Sequence, residues 1–552
     1  MSDMTPGPQL TGTEAFDLAA RRWDELKTGR AQHEALWRDI ARIFRPHLGG
    51  FGLDDPAGRI IERPSSSAPI YAADSFAATL YGTMTNPANR WFGFQSDDDD
   101  ANADPEAKRW FDAVTRRTLT SFGPSVSPYY STAMQVFGSL AVLGNAAEYD
   151  ELVREEQKIM DVSVSLAEIV VDIDAWGGVV EVVRRFMLTA PAAVRLFKGQ
   201  VPAKLIEAAE KRPTEKFAFY HHVLKNSDWL PFFRLGTKGR KWLSRYVCEV
   251  ERAQLREAGY DEMPFHVPRW HVDTGQTYGL GPGFVALSSA GIHNRMDDAV
   301  VRRAQMAADP TLLAPDRDTL TLNGQIRPGR VVYGGVDMQG RQLLRPLELT
   351  GAVGLTLQDR QEKLQEVKDA FHFTLTQLVG RTGMTATEVA TINEERTRLW
   401  APHQGRVQAE YLAPKIERRF SMLWRAGQLP PPPPSLAGRA LEVRYESAAE
   451  AAQKSSEGTA AMRLIEDLAP LMQIDPRVSD RLDTDGLIEV LAAARGAPGR
   501  MLRSREEADA LAQARAQQQQ AAMAMEAMQA GAGAIKDLAG AGAAMAGPEG
   551  AA

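Results

Sequence analysis

Cysteine is almost missing from this chain: Cys248 stands alone among 552 residues. An internal disulfide framework and any cysteine-built zinc cage are excluded, and a reducing compartment is the expected setting. Long apolar runs are also lacking. The most apolar stretch, FGSLAVLGNAA (137–147), falls well short of the roughly 20 residues that span a bilayer. The opening MSDMTPGPQL has neither a basic nor an apolar leader region, so no export signal is expected. A basic excess is absent too: 64 Lys and Arg face 71 Asp and Glu, giving a net charge of -7. Proteins that grip phosphate backbones usually carry positive charge. Tight nucleic-acid binding by one chain is therefore not expected, while passive contact with DNA inside an assembly stays compatible. Hydrophobic content of 44% and charged content of 24% suit folded soluble domains, and the length allows roughly three or four of them.

Catalytic constellations are equally scarce. No GxxxxGK[ST] phosphate loop occurs; GTKGRKWLS (236–244) lacks its spacing and reads as a basic turn, and GPG (281–283) is a turn signal. Asp172-x-Asp174 begins like a calcium loop, but Trp176 replaces a ligand and Val183 stands where the closing Glu belongs. His221 and His222 are adjacent, so a strand sends them to opposite faces, and His266 and His271 have no cysteine nearby. There is no HExxH and no GxSxG, and Cys248 lies in an apolar strand as a structural thiol. The run Asp97–Asp100 reads as solvated carboxylates. No enzyme, metal or cofactor is expected on these grounds, although a hydrolase with dispersed carboxylates would leave no linear motif.

What is present is a succession of helices and short strands, an α+β chain that is predominantly helical. Residues 13–45 carry an apolar stripe through Leu18, Trp23, Leu26, Trp37 and Ile40, predicting one helix. Further helices are predicted at 70–85, ended by Asn86-Pro87, and at 105–122 and 127–142. SLAEIVVDI (165–173) and VVEVVRRFML (179–188) flank DAWGG (174–178), which predicts a hairpin. A helix is expected at 189–197, then strands at 217–224 and 245–252.

The segment 285–429 is the most distinctive. One helix runs to Met306 and stops before Pro310. A Gly/Pro-punctuated, short-strand insert fills 310–353. A second helix, 354–379, buries Leu364, Val367, Phe371, Leu375 and Leu378 and would be about 39 Å long. After GRTGM (380–384), Thr385 and Glu388 cap a third helix reaching about Ala426, in which Pro402 and Pro414 predict kinks. Pro430–Pro434 end it. One strand at 440–447 and helices at 448–473, 484–495 and 504–530 follow, then an Ala/Gly-rich tail. Two helices returning on each other with a small module between them make either a stalk that packs beside its own copies or an ordinary helical hairpin.

Taken in order, several strings resemble the portal proteins of tailed bacteriophages, in the head-to-tail connector family of short-tailed, podovirus-type phages. They are LYGTMTNPANRWFGF (80–94), VFGSLAVLGNAAEY (136–149), RRFMLTA (184–190), MPFHVPRW (263–270) and YGLGPGFVAL (278–287). GMTATEV (383–389) with Glu394, PKIERRFSMLWRAGQLPPPP (414–433) and VRYES (443–447) complete the set. The resemblance implies the portal fold: an N-terminal helical and β-rich wing over 1–284 and a first stem helix at 285–308. A clip at 309–353, a second stem helix at 354–379 and a channel loop at 380–385 follow. A long kinked wing helix with its strand (386–447) and a helical crown or barrel with a flexible tail (448–552) complete it. The Tyr278-Gly279-Leu280-Gly281-Pro282 run lacks a positive charge that the family pattern carries there.

The same resemblance implies a homo-oligomeric ring, normally a dodecamer, at one capsid vertex of the virion. Such a ring is assembled in the host bacterial cytoplasm and conducts double-stranded DNA during packaging and ejection. Implied partners are the terminase large subunit, the major capsid and scaffolding proteins, and tail adaptor proteins; no membrane and no catalytic residues are implied. Arg381, Thr382, Gly383 and Met384 fall on the channel loop, where Arg381 either presents charge to DNA or pairs with a neighbouring carboxylate. Arg327, Arg330, Tyr333 and Arg341 fall on the clip, as motor and tail contacts or as clip-to-clip contacts. A neck ring without motor contact is the rival within virion proteins.

Overall fold

The computed structural model describes residues 11–48, 50–51, 64, 66–153, 158–230, 236–309, 311–313, 336–343, 345–346, 353–373, 402–445, 458–470, 482–495, 508 and 510–522. The chain is α+β and divides into two compact units, one of residues 1–91 with 117–429 and one of 92–116 with 430–552.

In the first unit, α1 (Gly12–Gly29) opens with a capping box in which Thr11 and Glu14 satisfy each other's backbone amides. The single helix expected over 13–45 is two. Gly29, a poor helix former, ends α1, and Arg30 turns the chain into α2 (Ala31–Phe44). Arg30 is buried there, bonded to Glu34 Oε1 at 2.8 Å and to the Ile169 carbonyl. α3 (Ala68–Met84) stops before Asn86-Pro87 as expected.

The central sheet has five antiparallel strands in simple sequence order: β4 (Ile169–Ile173), β5 (Val179–Thr189), β6 (Lys216–Lys225), β7 (Trp242–Cys248) and β8 (Ala253–Tyr260). Strand alternation sends Val183, Tyr220 and Val247 to one face, against Phe16, Ala19 and Trp23 of α1. It sends Phe186, Phe219 and Cys248 to the other, against Ala193 and Phe197 of α7 (Ala190–Leu196) with its flank and Leu205 and Ala208 of α8 (Ala203–Lys211). The result is a helix–sheet–helix sandwich. Burial pushes the Cys248 thiol up to about 11, so it is an unreactive core group. The strand expected over 245–252 ends at Cys248; Val250–Arg252 is a short 3₁₀ turn with Glu251 and Arg252 at positive φ. Strand β8 and helix α8 went unread in the sequence.

A smaller sheet, β3 (Lys158–Ser163), β2 (Glu148–Val153) and β9 (Phe265–His266), follows α6 (Tyr129–Leu143). The sequence reading assigned no strands here, because Glu148, Asp150 and Asp161 occupy the positions an apolar alternation would use.

In the second unit, β1 (Phe92–Ser96) pairs antiparallel with β12 (Leu441–Tyr445), joining segments almost 350 residues apart. The carboxylate run at 97–100 is not simply solvated: Asp98 caps the short α4 (Asp99–Ala103) and pairs with Arg439. Trp110 donates its indole N–H to the Pro430 carbonyl at 2.9 Å. Helices also occupy 458–470, Thr484–Ala494 and 510–522.

Candidate functional site: a helix pair and its buried anchors

Helix α9 (Pro282–Ala308) starts at Gly281-Pro282, with the proline where a missing amide does no harm. Ala286, Ala290 and His293 form its buried stripe, while residues 301 onward are mostly exposed. Helix α10 (Val353–Ala370) packs antiparallel against it: Ser289 donates to Glu366 at 2.5 Å, and Arg360 bonds Asp297 Oδ1 at 2.6 Å about two turns further along. His293 Nε2 lies 3.4 Å from Asp297, and its Nδ1 lies 3.2 Å from the Arg360 carbonyl. Leu312–Leu313 pairs with Arg345–Pro346, so the insert between the helices leaves and returns side by side. Four large apolar side chains on α9 remain uncovered: Phe284, Val285 (69% exposed), Val301 (55%) and Met306 (52%).

The continuous 39 Å rod expected for the second helix is corrected. Regular helix ends at Ala370, giving about 27 Å at 1.5 Å per residue. The chain turns at Phe371 and His372, the latter at φ 49°. Phe371 and Phe373 are both buried, the first edge-on to Phe44 and the second to Tyr71. Two residues apart on a helix they would point to nearly opposite sides; the turn brings both inward. Leu375 and Leu378 lie outside the described residues.

The start of α9 is clasped to the end of α6. Gly144 caps α6 at φ 72°, and a Cβ on Gly281 would lie 2.6 Å from its amide nitrogen. Asn145 completes the clasp, donating to the Gly279 carbonyl at 2.7 Å and accepting the Gly279 amide at 2.8 Å. A Cβ on Gly283 would sit 2.2 Å from the Val142 carbonyl oxygen. The two quoted strings LGNA and YGLGPG are thus the halves of one contact.

A second anchor is ionic. Helix α11 (Ala413–Arg425) carries Lys415, Arg418 and Arg419 at i, i+3 and i+4, hence on one face, and all three are buried. Lys415 Nζ reaches Glu148 at 2.7 Å, Asp150 at 3.2 Å and Asp161 at 2.5 Å. Arg418 bonds Asp150 at 2.5 Å and Arg419 bonds both oxygens of Asp161 at 2.8 Å. Three cations thus face three carboxylates. Burial alone would raise Asp150 and Asp161, but the charges of Lys415 with Arg418 or Arg419 hold both below the ordinary carboxylate range. Glu148 goes the other way: burial, partly offset by Lys415 and reinforced by Asp161, pushes it up to about 7. His266 Nε2 stays 3.7 Å from Asp150, beyond hydrogen-bond range.

Just upstream, Gln408–Leu412 is a π-turn leading into Pro414. The wider register is how the helix absorbs a residue that lacks an N–H and would clash with the preceding turn. Helical residues are described from 402 to 425, with the π-turn ahead of Pro414, and the part of the expected helix over 385–401 lies outside the described residues.

His221 and His222 are structural. His221 bonds Ser244 at 2.9 Å and stacks on Tyr246; His222 bonds Glu181 at 2.7 Å on the opposite face. Burial would raise Glu181, but hydrogen bonds from His222 and Arg22 hold it at about 2. The Asp174–Gly178 turn closes a hairpin, with Asp172 paired to Arg22 at 2.8 Å rather than arranged around an ion. Among the described residues no group of three potential ligands could hold a metal ion, and no helix is long and apolar enough to cross a membrane.

Of the residues singled out from sequence, Arg327, Arg330, Tyr333, Arg381, Thr382, Gly383 and Met384 lie outside the described residues. Arg341 is described: it is exposed and pairs with Asp337 at 3.2 Å across a turn whose Asp337 carboxylate also accepts its amide. Sequence reasoning missed Lys415, Arg418 and Arg419 as a buried set. Their signal was available in PKIERRFSML, where cations fall on the same helical face that carries Met422.

The chain is 26% identical over 501 residues to the "Probable portal protein" of Bordetella phage BPP-1, covering 87% of each. It is 26% identical over 509 residues to the "Portal protein" of Salmonella phage epsilon15, covering 88% of each. Among solved structures, the neck of an empty GTA particle matches 82% of this chain and 93% of that one, with 11% identity and a TM-score of 0.35. Residues 17–502 match the family described as bacteriophage head to tail connecting protein. With nearly its whole length matched, the chain belongs to that head-to-tail connector family.

Proposed function

We propose that this connector works as the portal of its particle: a ring, normally of twelve copies, that passes double-stranded DNA during packaging and ejection. The observation that carries the reading is the set of uncovered apolar side chains on α9, among them Val285, Val301 and Met306. A connector subunit with such a helix pair gains by burying them against its neighbours, at roughly 25 cal/mol for each Å² covered. The assignment of 285–308 and 354–379 as stem, 309–353 as clip, 380–385 as channel loop and 448–552 as crown belongs to this proposal, as does a wing before residue 285.

In this reading the protein supplies a passage and no catalysis, and movement of DNA is driven by a separate ATPase. The charge of -7 per chain suits a lumen that does not grip phosphates, because like charge opposes counterion-releasing contacts. Arg381 supplies a ring of positive charge at the constriction. Arg327, Arg330, Tyr333 and Arg341 serve docking of the terminase large subunit and later of tail adaptors, or the contacts between clips. The major capsid and scaffolding proteins surround the wing, and assembly takes place in the bacterial cytoplasm.

Native mass spectrometry of the full chain tests the ring. A species near twelve times 60.6 kDa supports it; a stable monomer, also when scaffold is co-expressed, overturns it. Arg381→Ala should leave rings intact while altering packaging or genome retention. Charge reversal at Arg341 that blocks motor docking but permits rings separates motor contact from clip-to-clip contact.

A further inference from the structure

We infer that Trp176 is a knob that seats in a cleft on the neighbouring copy of this chain, at the end of α6 remote from its own hairpin. The inference rests on the ring reading and adds to it a named, head-to-tail contact outside the helix pair.

Trp176 is 93% exposed at the tip of the β4–β5 hairpin. A large aromatic side chain left bare in this way is informative, since such residues dominate interface energetics. The tip is not loose. Asp174 Oδ1 accepts the amides of Trp176 and Gly178 at 2.9 and 2.8 Å, and the Asp174 amide donates to the Gly178 carbonyl at 2.8 Å. The Gly177 carbonyl accepts a 2.7 Å bond from Arg269, which is itself held by Glu410. The next residue, Trp270, donates its amide to the Gly144 carbonyl. The knob is therefore fixed near the C-terminal end of α6.

The cleft lies at the other end of that helix. Its volume is about 560 Å³, and it is lined by Pro87, Asn89, Arg90, Leu119, Pro124 and Tyr130 among others. The sequence neighbours of its lining residues Arg90, Gly123 and Tyr130 hold them in place, because Trp91, Phe122 and Tyr129 pack on one another, with Phe122 and Tyr129 centroids 4.6 Å apart. Proline and tyrosine faces beside an arginine suit an indole ring. The acidic Asp174 flanking the knob matches Arg90 in charge. Helix α6 has 15 residues, so knob and cleft are separated by about 20 Å within one compact unit. A chain cannot fill its own cleft. A ring built from heterologous contacts requires two different patches on every copy, and these two qualify.

The experiment uses the full chain. Trp176→Ala should raise the protein concentration for half-maximal ring formation at least about tenfold, with Trp176→Phe restoring most of the loss. The thermal midpoint of the subunit should stay nearly unchanged, because the side chain is almost wholly exposed in it. Because Cys248 is buried, a Trp176→Cys plus Asn89→Cys chain treated with a short bis-maleimide should give a ladder of cross-linked oligomers, and neither single variant should. Rings of wild-type affinity from Trp176→Ala, or rings of the double variant that yield no ladder, overturn the knob while leaving the ring intact. A wild-type chain that never leaves the monomer overturns the ring reading and the knob with it.

Discussion

The α11 anchor and the α9–α10 pair use charge in opposite ways. Around Lys415 every charged group is withdrawn from water and matched within the same chain, three cations against three carboxylates. Along α9 and α10 the ion pairs sit at half-exposed positions, and large apolar side chains point outward. A buried ionic cluster adds little net stability over an apolar one, yet losing one member is severe. It therefore specifies a single arrangement. An apolar stripe facing water specifies nothing until something covers it. The first region is complete within one subunit; the second leaves its apolar side chains facing water.

Four experiments test that contrast. The largest effect is expected from Lys415→Met, which takes from Glu148 its cation and leaves three buried carboxylates facing two cations, Arg418 and Arg419; it should destabilise the subunit by about 3–5 kcal/mol, read as a fall in the denaturant midpoint. Next, Val301→Asp should leave subunit stability within about 0.5 kcal/mol while weakening ring formation about tenfold or more; unchanged assembly by native mass spectrometry would remove α9 from the interface.

The third is a pH series. Glu148 titrates higher in the fold than in the unfolded chain, so its contribution is complete at low pH and is lost as pH rises through about 7. Glu181 is the reverse: its contribution is present above the ordinary carboxylate range and is lost as pH falls toward about 2. Thermal midpoints should decline on both sides of the ordinary carboxylate range, and Glu148→Gln should flatten only the limb that falls from there up to about pH 7. The smallest effect is expected from Arg360→Ala. Removing its partly exposed pair with Asp297 should cost about 0.5–1 kcal/mol in an unfolding titration.

Much of the architecture was legible because its signals are local. Asn86-Pro87 ends α3, DAWGG makes the hairpin, and Thr189-Ala190-Pro191 starts α7, each through turn or proline geometry that depends on neighbours in sequence. The break at Gly29-Arg30 was missed because the apolar stripe continues through it. Strands β2 and β3 were missed because their inward residues are acidic and their partners lie more than 250 residues away on α11. Pairing of β1 with β12 is of the same kind, since neither strand alone reveals the other. The family resemblance came from ordered strings, and the clasp between 144 and 281 shows that two of them touch in the fold. For the site itself the sequence offered positions on loops, of which Arg341 is described, whereas the buried anchor needed the fold to be seen.

That clasp has a consequence for how such a protein changes over generations. Gly144, Gly279 and Gly281 meet through backbone atoms, with no space for a Cβ, and the Asn145 side-chain amide bonds to the Gly279 backbone. The two segments therefore form one unit of inheritance. A chimera that takes residues 136–149 from one connector and 278–287 from another would join halves shaped for different partners, and recombination is tolerated when both cross over together.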